Sequence, residues 1–220
     1  SSNPNRDPRP DPKPHHNCHF FCRYLWGLPV LIKDTQAVAG VTFTAGSAIF
    51  KDRVPEVSDP VVVQIEAQGG IVCGKTNVPE FAAGSQCFNE LYPTTVSPYD
   101  IRTTAGGSSG GAASALSSRQ VWLASGSDLG GSLRTPAAFC GCVGFRPTPG
   151  RIPKSGPAKS ETESESEVGN RSPFYGLHST DGPMARSVTD LGLFMDTLCS
   201  RAAALQPTEY MNNDELSDGG

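Results

Sequence analysis

Two segments rich in glycine and serine place a serine directly after a pair of glycines, an arrangement that could support catalysis. The first is Gly-Gly-Ser-Ser-Gly-Gly at 106–111, and the second is Gly-Ser-Asp-Leu-Gly-Gly-Ser at 126–132. A glycine pair directly before a serine lets the backbone approach a bound molecule closely and aim several N–H groups at one point. We therefore predict an oxyanion hole, a set of N–H donors that stabilises a negatively charged oxygen. Its donors would be the N–H groups of Leu129, Gly130, Gly131 and Ser132.

A serine hydroxyl needs a base before it can act as a nucleophile. Three of the four histidines lie in or beside a proline-rich N-terminal segment, and His178 lies beyond an acidic segment, so histidine fits poorly. Lysine is the next candidate. A free lysine titrates near 10.4, and full burial lowers that pKa by up to about 3–5 units. Lys33 and Lys75 both follow short apolar runs, and spacing alone leaves both open as the base.

Apolar runs and helix signals predict the elements that hold these residues. Strands are predicted at 28–32, 71–73 and 121–124, and helices at 59–68, 112–116, 133–139 and 187–198. The helix after Asp59 has an N-cap residue and then a proline at its first position. In the last helix, Ser187 is the cap, and the apolar residues at helical spacing are Val188, Leu191, Met195 and Leu198. Strands that alternate with helices predict an α/β fold.

The apolar residues are concentrated in the middle of the 220-residue chain. We predict a folded domain at 24–198, a disordered proline-rich tail at 1–23 and a polar tail at 199–220. Within the domain, residues 154–172 are low in complexity and acidic, which predicts a solvated insert.

Composition also bears on partners and compartment. A net charge of −4 is too small to indicate a nucleic-acid partner. No apolar run approaches the roughly 18 residues of a membrane span, and the N-terminus has no apolar stretch typical of a signal peptide. The seven cysteines form no dense framework, which favours reduced thiols and a cytoplasmic location. The sequence gives no indication of oligomeric state.

Several ordered motifs resemble the amidase signature family. They are Gly-Leu-Pro-Val-Leu-Ile-Lys-Asp at 27–34, Thr-Ala-Gly-Ser at 44–47, Gly-Lys-Thr-Asn-Val-Pro-Glu-Phe at 74–81, the two segments described first (the second extending to 141), Gly-Phe-Arg-Pro-Thr-Pro-Gly-Arg at 144–151 and Asp-Gly-Pro-Met-Ala-Arg-Ser-Val at 181–188. The resemblance covers about residues 24–200. It implies a mixed β-sheet flanked by helices, and an enzyme that cleaves carboxylic amides of small molecules without a metal or cofactor.

The resemblance also implies roles for individual residues. Ser132 would be the nucleophile, Ser108 a bridging serine that follows a cis peptide bond, and Lys33 the base. Ser127 stands where the family often has threonine. Asp128 and Arg134 would hold the nucleophile loop, and Gly107 and Ser109 would contact the substrate.

Members of this family are about twice as long as this chain, which predicts that it contains the N-terminal half to two-thirds of their fold. Two alternatives therefore stay open. One is a glutamine-dependent amidotransferase subunit of the same family, which delivers ammonia to a transfer-RNA-linked acceptor. The segment at 81–89 resembles the general amidases more closely, so we rank this second. The other is a truncated homologue without catalytic activity.

Two further patterns suggest chemistry only weakly. Residues 69–76 match the P-loop consensus, but a helix precedes the first glycine and Pro79 follows closely, which disfavours nucleotide binding. A cluster of histidine and cysteine residues at 15–22 matches no common zinc spacing. We expect neither site to be functional.

Overall fold

The structure is a computed structural model and describes residues 24–153 and 178–200. The predicted tail at 1–23, the predicted insert at 154–172 and residues 201–220 of the predicted polar tail lie outside these residues. No helix within the described parts is long and apolar enough to cross a bilayer.

Strands and helices are interspersed along the described residues. The strands are β1 (Pro29–Lys33), β2 (Ile71–Thr76), β3 (Val96–Ser97), β4 (Asp100–Thr104), β5 (Leu123–Asp128), β6 (Val143–Gly144) and β7 (Thr180–Ala185). The α-helices are α1 (Pro60–Ala67), α2 (Gly110–Ser117), α3 (Arg134–Cys140) and α4 (Val188–Cys199). Short 3₁₀ turns lie at Ala48–Phe50 and Glu80–Ala82.

Five strands form one mixed sheet in the order β2-β1-β5-β7-β6, and β3 and β4 form a separate hairpin. Strand β1 is parallel to both neighbours, with Lys33 opposite Thr76 on one side and Val30 opposite Leu123 on the other. Strand β7 is antiparallel to β5 and β6. The parallel strands β1, β2 and β5 therefore end at the same edge of the sheet, where Lys33 is located. These observations confirm the predicted α/β fold with a mixed sheet.

Two apolar clusters hold the helices on the sheet. One cluster includes Val30 and Ile32 of β1 with Ile65 of α1 and Phe194 of α4. The other combines alanines of α2 and α3 with larger residues such as Leu116 and Met184, and the partly buried Leu31 packs against it. Because side chains alternate along a strand, Lys33 lies on the same face of β1 as Leu31, the face that α2 covers. Each fully buried large apolar side chain contributes about 1.5–3 kcal/mol.

Most predicted elements are present, with shifted ends. Helix α1 begins after Asp59 with Pro60 at its first position, and the Ser187 hydroxyl caps α4 by accepting a hydrogen bond from the backbone N–H of Asp190. Val188 was expected on the buried face of that helix, but it is 73% exposed. It is the first residue of α4, and the helix buries its apolar face only from Leu191 onward.

The sequence pattern missed several features of the strands. Strand β5 covers Leu123–Asp128 and so continues four residues beyond the predicted strand at 121–124. The hairpin of β3 and β4, and strands β6 and β7, had no predicted counterpart. Strand β7 contains Gly182 and Pro183, which normally disfavour a central strand. The Pro183 carbonyl accepts a hydrogen bond from Phe145, so its nitrogen faces the short strand β6, where a missing donor removes little pairing.

Candidate active site

Lys33 is at the centre of the site. It ends strand β1, its side chain is completely buried, and its backbone N–H donates to the Ser125 hydroxyl over 3.0 Å. Its Nζ atom donates to three hydroxyl oxygens, at 2.7 Å from Ser108, 2.9 Å from Ser109 and 2.9 Å from Ser127. The structure therefore brings the predicted base into direct contact with the predicted bridging serine.

The second candidate base, Lys75, occupies a different environment. Its Nζ atom lies 2.7 Å from the carboxylate of Asp34, and both side chains are largely buried. Asp34 also accepts hydrogen bonds from the backbone N–H and the hydroxyl of Thr44. Lys75 is thus engaged in a buried ion pair, which favours Lys33 as the base.

Ser108 and Ser109 stand at the start of helix α2, in a loop that packs tightly. The peptide bond between Gly107 and Ser108 is cis, as the resemblance implies. A Cβ atom on Gly107 would lie 2.9 Å from the backbone nitrogen of Gln86. Both serine side chains are buried. The Ser109 hydroxyl faces Lys33 rather than solvent, so a role for it in substrate binding stays a prediction, as does that of Gly107.

Ser132 lies between strand β5 and helix α3 in a half-buried position. Its carbonyl accepts a hydrogen bond from the backbone N–H of Ser109 over 3.2 Å. This bond joins the loop of the predicted nucleophile to the loop of the predicted bridge. The catalytic roles of Ser132, Ser108 and Lys33 are compatible with this arrangement and remain predictions.

Asp128 organises the loop that contains Ser132. Its carboxylate is completely buried and accepts hydrogen bonds from the backbone N–H groups of Gly131, at 2.8 Å, and Leu133, at 3.1 Å. The guanidinium groups of Arg134, at 3.0 Å, and Arg146, at 3.1 Å, complete its shell. Burial alone would raise the pKa of Asp128, but these hydrogen bonds outweigh it and hold the pKa far below its ordinary value.

This shell changes the expectation for the oxyanion hole. The N–H group of Gly131, one of the four predicted donors, is directed to the Asp128 carboxylate. Leu129, Gly130 and Ser132 remain as predicted donors. The Asp128 carboxylate thus holds the loop from inside. Asp128 and Arg134 could be predicted to support the loop because both are in the same motif as Ser132.

Sequence reasoning missed two contributors to the site. Arg146 contacts both the side chain and the backbone of Asp128. Its position in the motif at 144–151 is the sequence feature that could have identified it. Gln36 accepts a hydrogen bond from the Ser125 hydroxyl, which itself accepts from the backbone of Lys33. No sequence pattern singles out Gln36.

The P-loop consensus at 69–76 does not form a phosphate-binding loop. Residues 71–76 are strand β2 throughout, and Lys75 pairs with Asp34. A P-loop requires a flexible loop followed by a helix, which this segment lacks. The histidine and cysteine cluster at 15–22 lies outside the described residues, and the residues that are described contain no group of three potential metal ligands.

A cavity of about 660 Å³ lies beside the loop at 106–111, and no residue of that loop lines it. Gln86 and Ser85, whose backbone packs against Gly107, belong to its lining. Phe81 and Phe88 also line it and are about half exposed. Its volume lies in the range of small-molecule sites.

The chain is similar to one family of known proteins. The family model described as Amidase matches residues 22–218. A glutamyl-tRNA(Gln) amidotransferase subunit of Nitratidesulfovibrio vulgaris is 40% identical over 177 residues, which are 80% of this chain and 33% of the relative. The corresponding protein of Maridesulfovibrio salexigens is 46% identical over 132 residues, 60% of this chain and 27% of the relative. The chain therefore spans about a third of the length of these relatives.

Solved structures of amide-cleaving enzymes share its fold. A bacterial aryl acylamidase superimposes with a TM-score of 0.68 at 30% identity, over 80% of this chain and 34% of the enzyme. Fatty acid amide hydrolase superimposes with a TM-score of 0.70 at 28% identity, over 81% of this chain and 30% of the enzyme. The described sheet and helices are thus similar to part of a larger enzyme fold.

Proposed function

Because the chain belongs to the amidase family, we propose that it hydrolyses a carboxylic amide through Ser132, with Ser108 and Lys33 as a proton relay. The observation that carries this proposal is the buried amine of Lys33, 2.7 Å from the Ser108 hydroxyl. Burial disfavours the charged form of an amine, and the relay requires the neutral form.

The reaction would proceed in two halves. Ser132 Oγ forms a bond to the amide carbonyl carbon while its proton passes to Ser108, whose own proton passes to Lys33. The tetrahedral intermediate then breaks its C–N bond, and the proton returns through Ser108 to the leaving nitrogen. Water attacks the resulting ester by the same relay, which releases the acid and restores Ser132. General acid–base transfer of this kind contributes typically about 10²–10⁴ in rate.

Labelling with a fluorophosphonate tests the nucleophile directly. The full chain should be labelled once, and intact-mass analysis should find no label on Ser132→Ala. Ser118→Ala is the matched control because Ser118 is exposed at the far end of α2; this variant should react like the wild type. Equal labelling of Ser132→Ala and wild type would reject Ser132 as the nucleophile. Ammonia release from a panel of primary amides would then test turnover.

The relatives favour a second candidate function. Both bacterial relatives described above are amidotransferase subunits, so the chain would act as a glutaminase subunit within a larger assembly. Glutaminase activity that rises only when a partner subunit is added would support this function over a free-standing amidase. Activity that is independent of any partner would contradict it.

We further propose a small amide as the substrate and the cytoplasm as the location of the protein. The cavity beside the loop at 106–111 has the size for a small amide, and its phenylalanines favour an apolar group on the part of the substrate that lies away from the reacting bond, since Lys33, Ser108 and Ser132 do not line it. All five cysteines in the described ranges are free thiols, which is compatible with a reducing cytoplasm.

A further inference from the structure

We infer that Arg146 is a positioning residue that aims two backbone N–H groups of the oxyanion hole, an inference that rests on the proposed hydrolysis at Ser132. The Arg146 side chain follows shortly after strand β6 and is only 23% exposed. Its Nη1 atom contacts the carbonyl oxygen of Asp128 and lies 3.2 Å from the carbonyl oxygen of Leu129. Its Nη2 atom donates to the carbonyl of His178 over 2.6 Å.

The carbonyls of Asp128 and Leu129 belong to the peptide units whose N–H groups are predicted donors. The Asp128 carbonyl shares its peptide plane with the Leu129 N–H, and the Leu129 carbonyl shares its plane with the Gly130 N–H. A trans peptide is planar, so its C=O and N–H point in opposite directions. Within the described ranges, the cis bond lies elsewhere, at Gly107–Ser108. One guanidinium that binds both oxygens therefore turns both N–H groups away from itself.

The direction away from Arg146 is the direction of the relay. The Ser127 carbonyl, which precedes these two units, lies 3.4 Å from Lys33 Nζ. Carbonyls of successive strand residues point to opposite sides, so the Asp128 carbonyl points away from Lys33 and the Leu129 N–H points toward it. Positive charge on the carbonyl side also polarises the peptide, which strengthens its N–H as a donor.

Arg134 provides a matched comparison within the same loop. It binds the Asp128 carboxylate through two nitrogens, whereas Arg146 binds that carboxylate through one nitrogen and adds the two backbone carbonyls. Loss of Arg134 removes a positive charge from the same carboxylate and leaves the two peptide units in place. Loss of Arg146 also releases the two carbonyls.

The test measures the rate constant and the endpoint of fluorophosphonate labelling in the full chain. Arg146→Gln should reach the wild-type endpoint of one label per chain, but about 10–100-fold more slowly, since removal of one oxyanion donor costs about 10²–10³ in rate and the loop keeps its bonds to Asp128. Arg134→Gln should slow labelling less. Arg146→Lys should fall between them because a single ammonium cannot span the same oxygens. The pH dependence of the rate constant should keep its wild-type shape, because the relay is untouched.

Four outcomes separate the possibilities. A wild-type rate constant in Arg146→Gln, or a slowdown no larger than that of Arg134→Gln, overturns the inference. A reduced endpoint with an unchanged rate constant shows that Arg146 only maintains folding, and also overturns it. If Arg146→Gln does not fold, Arg146→Lys must show the slower rate with a full endpoint. A wild-type chain that reacts no faster than Ser132→Ala rejects the proposed function itself.

Discussion

Replacement of Lys33 by methionine separates catalysis from stability. Methionine keeps an unbranched apolar side chain, with sulfur in place of the Cδ methylene, and lacks the amine. In the structure this amine is completely buried and donates to the hydroxyls of Ser108, Ser109 and Ser127. Ser109 keeps a partner after the amine is gone, because its hydroxyl also lies 3.4 Å from the backbone carbonyl of Ser127.

Opposing contributions set the expected stability change. Each hydrogen bond lost with the amine reduces the free energy of unfolding by about 1 kcal/mol. Methionine avoids the desolvation penalty of a buried amine, which is several kcal/mol when the group is charged. We expect the free energy of unfolding of Lys33→Met to stay within about 2 kcal/mol of wild type. Loss of the base should lower the labelling rate by about 10²–10⁴.

Lys75→Met is the matched control on the neighbouring strand. It leaves the Asp34 carboxylate, only 5% exposed, without its cation. Removal of one partner of a buried ion pair costs about 3–5 kcal/mol. Lys75→Met should therefore be much less stable than Lys33→Met, while retaining the relay.

Urea unfolding followed by circular dichroism, together with fluorophosphonate labelling, measures both quantities. We expect Lys33→Met to lose activity and keep its stability, and Lys75→Met to lose stability and keep the relay chemistry. If Lys33→Met were destabilised as strongly as Lys75→Met, Lys33 would be a structural residue. If it were labelled at the wild-type rate, the relay would be wrong.

Further predictions concern the loops and helices around the site. Asp128→Asn should lower the free energy of unfolding by about 3 kcal/mol at pH 7. Because the folded-state pKa of Asp128 is depressed, this difference from wild type should be complete well above pH ~4 and should shrink as the pH falls below it. A constant difference in urea midpoints from pH 7 to pH 3 would contradict this. Gly111→Ala places a Cβ atom 2.5 Å from the backbone nitrogen of Asn77 and should destabilise by about 1–3 kcal/mol. Gly192→Ala, in α4 with open space around the new Cβ, should stabilise by about 0.5–1 kcal/mol, so thermal melts of the two variants should shift in opposite directions.

The strongest sequence predictions were those for locally encoded elements. Proline after Asp59 and the Ser187 cap define helix starts within a few residues, because capping depends on adjacent backbone groups. The apolar run before Lys33 formed the expected strand. In contrast, β7 was missed because its glycine and proline have low strand propensity, and its burial between β5 and β6 overrides that propensity.

The residues available for chemistry can be read from the sequence alone: two serine loops, two candidate lysines and an aspartate in the motif of the predicted nucleophile. The tertiary structure alone shows that Lys75 meets a carboxylate and Lys33 meets hydroxyls, and this difference favours Lys33 as the base. It likewise directed the Gly131 N–H to Asp128 and brought Arg146 to the carbonyls of the same loop. These contacts join residues far apart in the chain or depend on which way a peptide plane turns, and neither strand register nor peptide orientation is encoded in a local pattern.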